Sequence, residues 1–128
     1  MAQTRLHHAA NWFEIPVRNL DRAQAFYETL LGTPLRRETM GEHTLAVFGY
    51  DESGVGGCLL AGHDAPAPTE QGTLVYLNAT PSLDAALERV QRAGGRVTTP
   101  KVQLPGDMGA FAHVADTEGN RIGLHALT

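Results

Sequence analysis

Apolar residues along this chain recur in two rhythms, and the rhythms come twice in the same order. Residues 11–17 (NWFEIPV) mix aromatic and β-branched side chains with polar ones and carry Pro16 near their end, the signature of a strand at a sheet edge. Asn19 is a good N-cap. After it Ala23, Phe26, Tyr27, Leu30 and Leu31 keep the spacing of one helical face, and Gly32 closes the helix as a C-cap glycine does. Three short strands are predicted next, at 34–40, 43–50 and 55–61, with turns at Gly41-Glu42 and at 51–54. Residues 65–72 (APAPTEQG), rich in Pro and small polar residues, read as a linker. Beyond it a strand is predicted at 73–79. Pro81-Ser82 then opens a helix with Leu83, Ala86, Leu87, Val90 and Ala93 on one face, and Gly94-Gly95 end it. Residues 96–102, 110–115 and 120–127 supply three more strands.

The second half repeats the first. Shifted by 63 positions, Leu20-Asp21 falls on Leu83-Asp84 and Gly32 on Gly95. Shifted by 65, the turn Asp51-Glu52-Ser53-Gly54 falls on Asp116-Thr117-Glu118-Gly119, Leu59 on Leu124 and Ala61 on Ala126. One helix and a short sheet cannot bury both sheet faces, whereas two paired units can. The expected fold is therefore α+β, a single domain of two tandem βαβββ modules (about 9–63 and about 72–127, joined by a linker at about 64–71). Curved mixed sheets should form a central cleft with the helices outside.

Composition narrows the partners. The 128 residues, 42% apolar and 19% charged, are those of an ordinary globule. A net charge of −4 without any basic run speaks against nucleic acid. No stretch approaches the roughly 18 apolar residues of a membrane span. The lone Cys58 excludes an internal disulfide and multi-cysteine zinc patterns. Residues 1–10 contain no apolar signal region. A cytoplasmic protein is expected. There is no phosphate loop, GxGxxG, HExxH or GxSxG, and Gly54, Gly56 and Gly57 read as room for a close approach or a bulge.

Val17-Arg18-Asn19-Leu20-Asp21-Arg22-Ala23, then Phe26-Tyr27, then Leu31-Gly32 resembles the opening signature of the vicinal-oxygen-chelate superfamily of glyoxalases, bleomycin-resistance proteins and extradiol dioxygenases. Asp116-Thr117-Glu118-Gly119-Asn120 resembles that family's closing turn. The likeness runs from about Asn11 to Leu127, and it is nearest to the short glyoxalase-like members. In the metal-using members, four ligands, usually His, Glu or Gln, come from the first and last strand of each module. Carried over, these positions are Trp12, Cys58, Val75 and Gly123. Three of the four have no side-chain lone pair for a cation, and one thiol cannot complete a site. No metal and no cofactor are expected.

Strand alternation then selects the lining of the cleft. With Trp12 goes Glu14, and with Gly123 go Arg121 and His125, while Ile122, Leu124 and Ala126 pack on the helices. By the same rule Thr73, Val75 and Leu77 face the cleft, as do Cys58 and Leu60. Glu14 and His125 are the candidates for acid–base catalysis. Trp12, Cys58, Thr73, Val75, Arg121 and Gly123 are the candidates for ligand binding. Each also has a structural reading: Trp12 and Cys58 as core, Glu14 with Arg121 as an ion pair, His125 as a solvated strand end. His113 matches Phe48 of the first module and is expected to pack, and His7, His8, His43 and His63 to lie at the surface. Two functions follow from the resemblance. One is a small-molecule-binding protein with lost metal positions. The other is a lyase, isomerase or dioxygenase, dependent on metal through unusual ligands or metal-free with Glu14 and His125. Relatives of this build pair, so a homodimer is expected.

Overall fold

The computed structural model describes residues 8–128, so His7 and most of the segment read for a leader lie outside the described residues. Its elements follow the predicted order: β1 (Trp12–Pro16), α1 (Leu20–Leu31), β2 (Arg36–Met40), β3 (His43–Val47), β4 (Gly56–Ala61), β5 (Tyr76–Asn78), α2 (Leu83–Arg92), β6 (Arg96–Gln103), β7 (Ala110–Ala115) and β8 (Arg121–Ala126). They form two four-stranded mixed sheets, β1-β4-β3-β2 and β5-β8-β7-β6. The first strand of each module runs parallel to the last, and the remaining pairs are antiparallel. The module repeat read from the sequence is thus a repeat of topology.

Both helices start on the predicted caps. The Asn19 side chain accepts from the Arg22 N–H at 3.0 Å and the Ser82 hydroxyl from the Ala85 N–H at 3.2 Å. Gly32, at φ +72°, closes α1 in the left-handed conformation that glycine adopts without strain. Each helix covers its own sheet and touches the other helix, with Phe26, Tyr27, Leu30, Leu83 and Val90 in one buried core spanning both modules. Each such side chain contributes about 1.5–3 kcal/mol by leaving water. Gly95 lets the modules close: a Cβ there would fall 2.6 Å from the Phe26 ring and 2.7 Å from the Ala115 carbonyl oxygen.

The register of three strands agrees with the alternation read from the sequence, and that of a fourth does not. Ile15 with Phe13, Leu59, and Ile122 with Leu124 and Ala126 belong to the helix-facing core. On β5 it is Leu77, flanked by Val75 and Ala79, that packs into this core, while Tyr76 and Asn78 look outward. Val75 and Leu77 therefore do not lie on the open sheet face, and Thr73 precedes the strand. The cause is one residue. Arg18 alone separates Val17 from the N-cap Asn19, but Thr80 and Pro81 separate Ala79 from Ser82. The offset of 63 that aligns the helices becomes 62 in the strands, and a one-residue slip exchanges the faces.

A buried polar clasp joins the modules. Within the turn after β7, Asp116 accepts backbone N–H bonds from Glu118 (2.8 Å) and Asn120 (2.9 Å), and the Tyr27 hydroxyl of α1 at 2.6 Å. Glu118 reaches the amino-terminal end of α1. It accepts the Arg18 and Asn19 N–H groups at 2.9 Å and the Arg22 guanidinium at 2.6 and 3.0 Å. Burial alone would raise the Glu118 carboxyl, but Arg22 and those backbone N–H groups outweigh it and hold it down at about 2. Asn120 completes the clasp by donating to the Pro16 carbonyl at 2.8 Å. The matching turn of module one stays at the surface, where the Asp51 carboxylate accepts from Ser53 and its backbone carbonyl from the Gly54 N–H.

Candidate functional site

The helix-free face of the first sheet brings together Trp12, Glu14 and Cys58, which the sequence had grouped. Glu14 stands opposite Cys58 in the parallel ladder, and Cys58 packs with Leu45, Val47 and Leu60 in a small second apolar cluster. Burial pushes the Cys58 thiol up to about 11, the Glu14 charge adds to this, and Trp12 acts in the opposite direction. A thiol so placed is a small hydrophobe and a poor nucleophile. Trp12 is 40% exposed and meets Tyr50 edge-on at 6.0 Å. The Tyr50 ring in turn lies over Gly56, where a Cβ would fall 2.4 Å from it, and the Phe13 ring lies equally close over Gly57 on the other face. The two glycines that open β4 are thus room for aromatic rings.

The corresponding face of the second sheet carries a cluster of three rings, Tyr76, Phe111 and His113. Tyr76 faces Gly123 in the β5–β8 ladder and covers it, and a Cβ at Gly123 would fall 2.4 Å from the ring. Beside it stand Phe111, edge-on to Tyr76 at 5.9 Å, and His113, whose Nε2 shares a 2.7 Å hydrogen bond with the Tyr76 hydroxyl. Burial and the Arg121 charge both lower the His113 pKa, so the ring is neutral near pH 7. His125 donates from Nε2 to the Met108 carbonyl at 2.6 Å, which leaves Nδ1 free. A cavity of about 530 Å³ opens over this face, lined by Tyr76, Leu77, Asn78, Leu104, Phe111 and His125.

A groove of about 380 Å³ runs along the seam between the modules, roofed by the linker. Glu14, Thr73, Val75 and Arg121, four of the residues singled out in the sequence, line it together, but no ion pair joins Glu14 to Arg121. Trp12 and Cys58 stay on the first sheet, and Gly123 and His125 on the second. His8 and His63 are exposed, and His43 bonds to Asp64 at 2.6 Å.

The four positions carried over by resemblance from metal-using relatives present these side chains. Trp12 and Gly123 offer no lone pair, the Cys58 thiol resists ionisation, and Val75 turns away. At the strand offset of 62 the counterpart of Trp12 is Leu74, which has no lone pair either, and Tyr76, the counterpart of Glu14, is tied to His113. Among the described residues no three His, Cys, Asp or Glu side chains converge on a common point.

Tandem βαβββ modules, each with a helix on one sheet face and aromatic side chains on the other, define a paired-module α+β protein. The chain belongs to the Glyoxalase/Bleomycin resistance protein/Dioxygenase superfamily, which it matches over residues 5–124. It is similar to a glyoxalase/bleomycin resistance protein from Streptomyces sp. CB03234 (25% identity, TM-score 0.66, 89% of this chain and 96% of that one). It is also similar to TnmS3, an antibiotic binding protein from the same source (24%, TM-score 0.65, 98% of each). Against glyoxalase I from Zea mays the figures are 22% and 0.63, over 91% of this chain, which spans 45% of that longer protein. No curated protein matches the sequence. The last two likenesses carry the fold alone.

Sequence reasoning missed Tyr76, Phe111, Leu104 and Tyr50. The signal for Tyr76 was present, since Val75, Leu77 and Ala79 alternate with Tyr76 and Asn78 as a half-buried strand does. The repeat offset overrode it.

Proposed function

We propose that this chain is a metal-free small-molecule-binding protein that holds a flat, amphipathic organic compound against the open face of the second sheet. One observation carries the reading: the cavity over Tyr76, Phe111 and His125, with the Tyr76 ring seated on a glycine that no other residue could replace without displacing it. Apolar and aromatic walls with a few polar groups suit a small-molecule pocket, and aromatic pairs favour planar partners. The antibiotic-binding activity of TnmS3 belongs to that protein, but it agrees in kind. The purified protein should carry no stoichiometric zinc, nickel, iron or manganese, because the donor positions are Trp12, Cys58 and Gly123. The buried, lone thiol suits a reducing cytoplasm.

We also propose a homodimer. Trp12 (40% exposed) and Tyr50 (54%) put two adjoining aromatic surfaces in water on the first sheet, away from the Tyr76 platform, and a second copy would cover them. Light scattering that gives a monomer mass at micromolar concentration would refute it. The alternative function is a metal-free enzyme with Glu14 or His125 as the acid–base group; the Nδ1 of His125, unbonded among the described residues at the cavity wall, favours His125. A thermal-shift screen of planar metabolites and antibiotics tests the binding reading. A hit should raise the melting temperature of the protein and not that of Tyr76→Ala. Stabilisation that survives Tyr76→Ala would place the ligand elsewhere, and turnover of a bound compound would support the enzyme.

A further inference from the structure

Resting on this reading of the second sheet, we infer that the compound bound there carries an acidic group, a carboxylate or an ionised phenol, which Arg121 receives. By strand alternation Arg121 shares the face of Gly123, two residues and about 7 Å along β8 from the Tyr76 platform; it lines the adjoining seam groove, and its charge reaches His113. No described residue pairs with it. Arg96, which shares its row across β7, is already neutralised by Glu70 at 3.0 Å. The other side chains of this face are Tyr76 and Asn78 from β5, Phe111, His113 and Ala115 from β7, Arg96, Thr99 and Val102 opposite them on β6, and His125 from β8. None is acidic. Glu14 lines the same seam groove as Arg121 but forms no ion pair with it.

The face therefore joins a planar aromatic surface to one uncompensated guanidinium at its rim. A guanidinium receives a carboxylate in a bidentate fork. The neutral His113, tied to the Tyr76 hydroxyl, brings no competing charge. From Arg121 to His125 is four strand residues, roughly 13 Å, the span of a fused-ring acid with its carboxylate at one end.

Two probes of one shape test this, 2-naphthoate and its neutral isostere 2-naphthamide, titrated calorimetrically into the full-length protein. Naphthoate should bind about tenfold more tightly, the scale of one charge-assisted hydrogen bond. Arg121→Gln should abolish that preference and Arg121→Lys restore part of it. Arg92→Gln, an equal change of charge at the exposed end of α2, should leave it intact. Equal affinity for both probes would overturn the acidic-ligand inference and leave the binding function standing. A preference that survives Arg121→Gln would overturn the assignment of Arg121. Binding of neither probe at millimolar concentration would remove the binding function and this inference with it.

Discussion

Glu118→Gln keeps the shape of the buried side chain and removes its charge from the clasp. An amide oxygen can still accept both N–H groups of Arg18 and Asn19, which reach the same carboxylate oxygen, but its NH2 group then confronts the Arg22 guanidinium. The Glu118 side chain is fully buried, so solvent screens little of the loss. Holding the carboxyl at about 2, against an ordinary 4.5, at 1.36 kcal/mol per tenfold in proton affinity, amounts to about 3 kcal/mol. Removing one partner of a buried pair costs a similar amount, about 3–5 kcal/mol. A carboxyl depressed in the folded state stabilises fully above its unfolded value, and the contribution is lost as pH falls from 4.5 toward 2. Urea unfolding of wild type and variant at pH 7 should therefore differ by about 3 kcal/mol, and the difference should shrink steadily between pH 4.5 and pH 2.5. Equal stabilities at pH 7 would show that the clasp contributes nothing. A deficit unchanged at pH 2.5 would show that it acts through packing and not through charge.

Gly123→Ala should cut binding of a planar ligand more than tenfold, because the new methyl group, 2.4 Å from the Tyr76 ring, must displace the platform; retained affinity in calorimetry would refute the site. Trp12→Ala should cost only about 1 kcal/mol of stability, since the ring is half in water and meets Tyr50 by its edge, and a loss of several kcal/mol would make it core. Native Cys58, buried and raised to about 11, should resist iodoacetamide at pH 8 and react at once in urea; rapid native alkylation would contradict its placement.

The modules, both helices and the faces of β1, β4 and β8 were legible because each rests on a local rule: a cap, a 3.6-residue period or a two-residue period. The face of β5 was legible by its own alternation and hidden by the repeat, since a single extra residue before Ser82 is invisible to an alignment anchored on the helix. The clasp was not legible at all. Asp51-Glu52-Ser53-Gly54 and Asp116-Thr117-Glu118-Gly119 read as the same exposed turn, and only a tertiary partner makes the second one buried.

The reach of that second turn has a consequence for the order of assembly. Glu118 follows Arg22 by 96 positions, so α1 leaves the ribosome on the order of 5–20 s before the carboxylate that anchors its first turn, at about 5–20 residues per second. Module one is made first yet cannot be finished first, and its helix waits with Tyr27 and Arg22 unpartnered until nearly the whole chain has been synthesised. A nascent chain halted before residue 116 should be the species most dependent on chaperones.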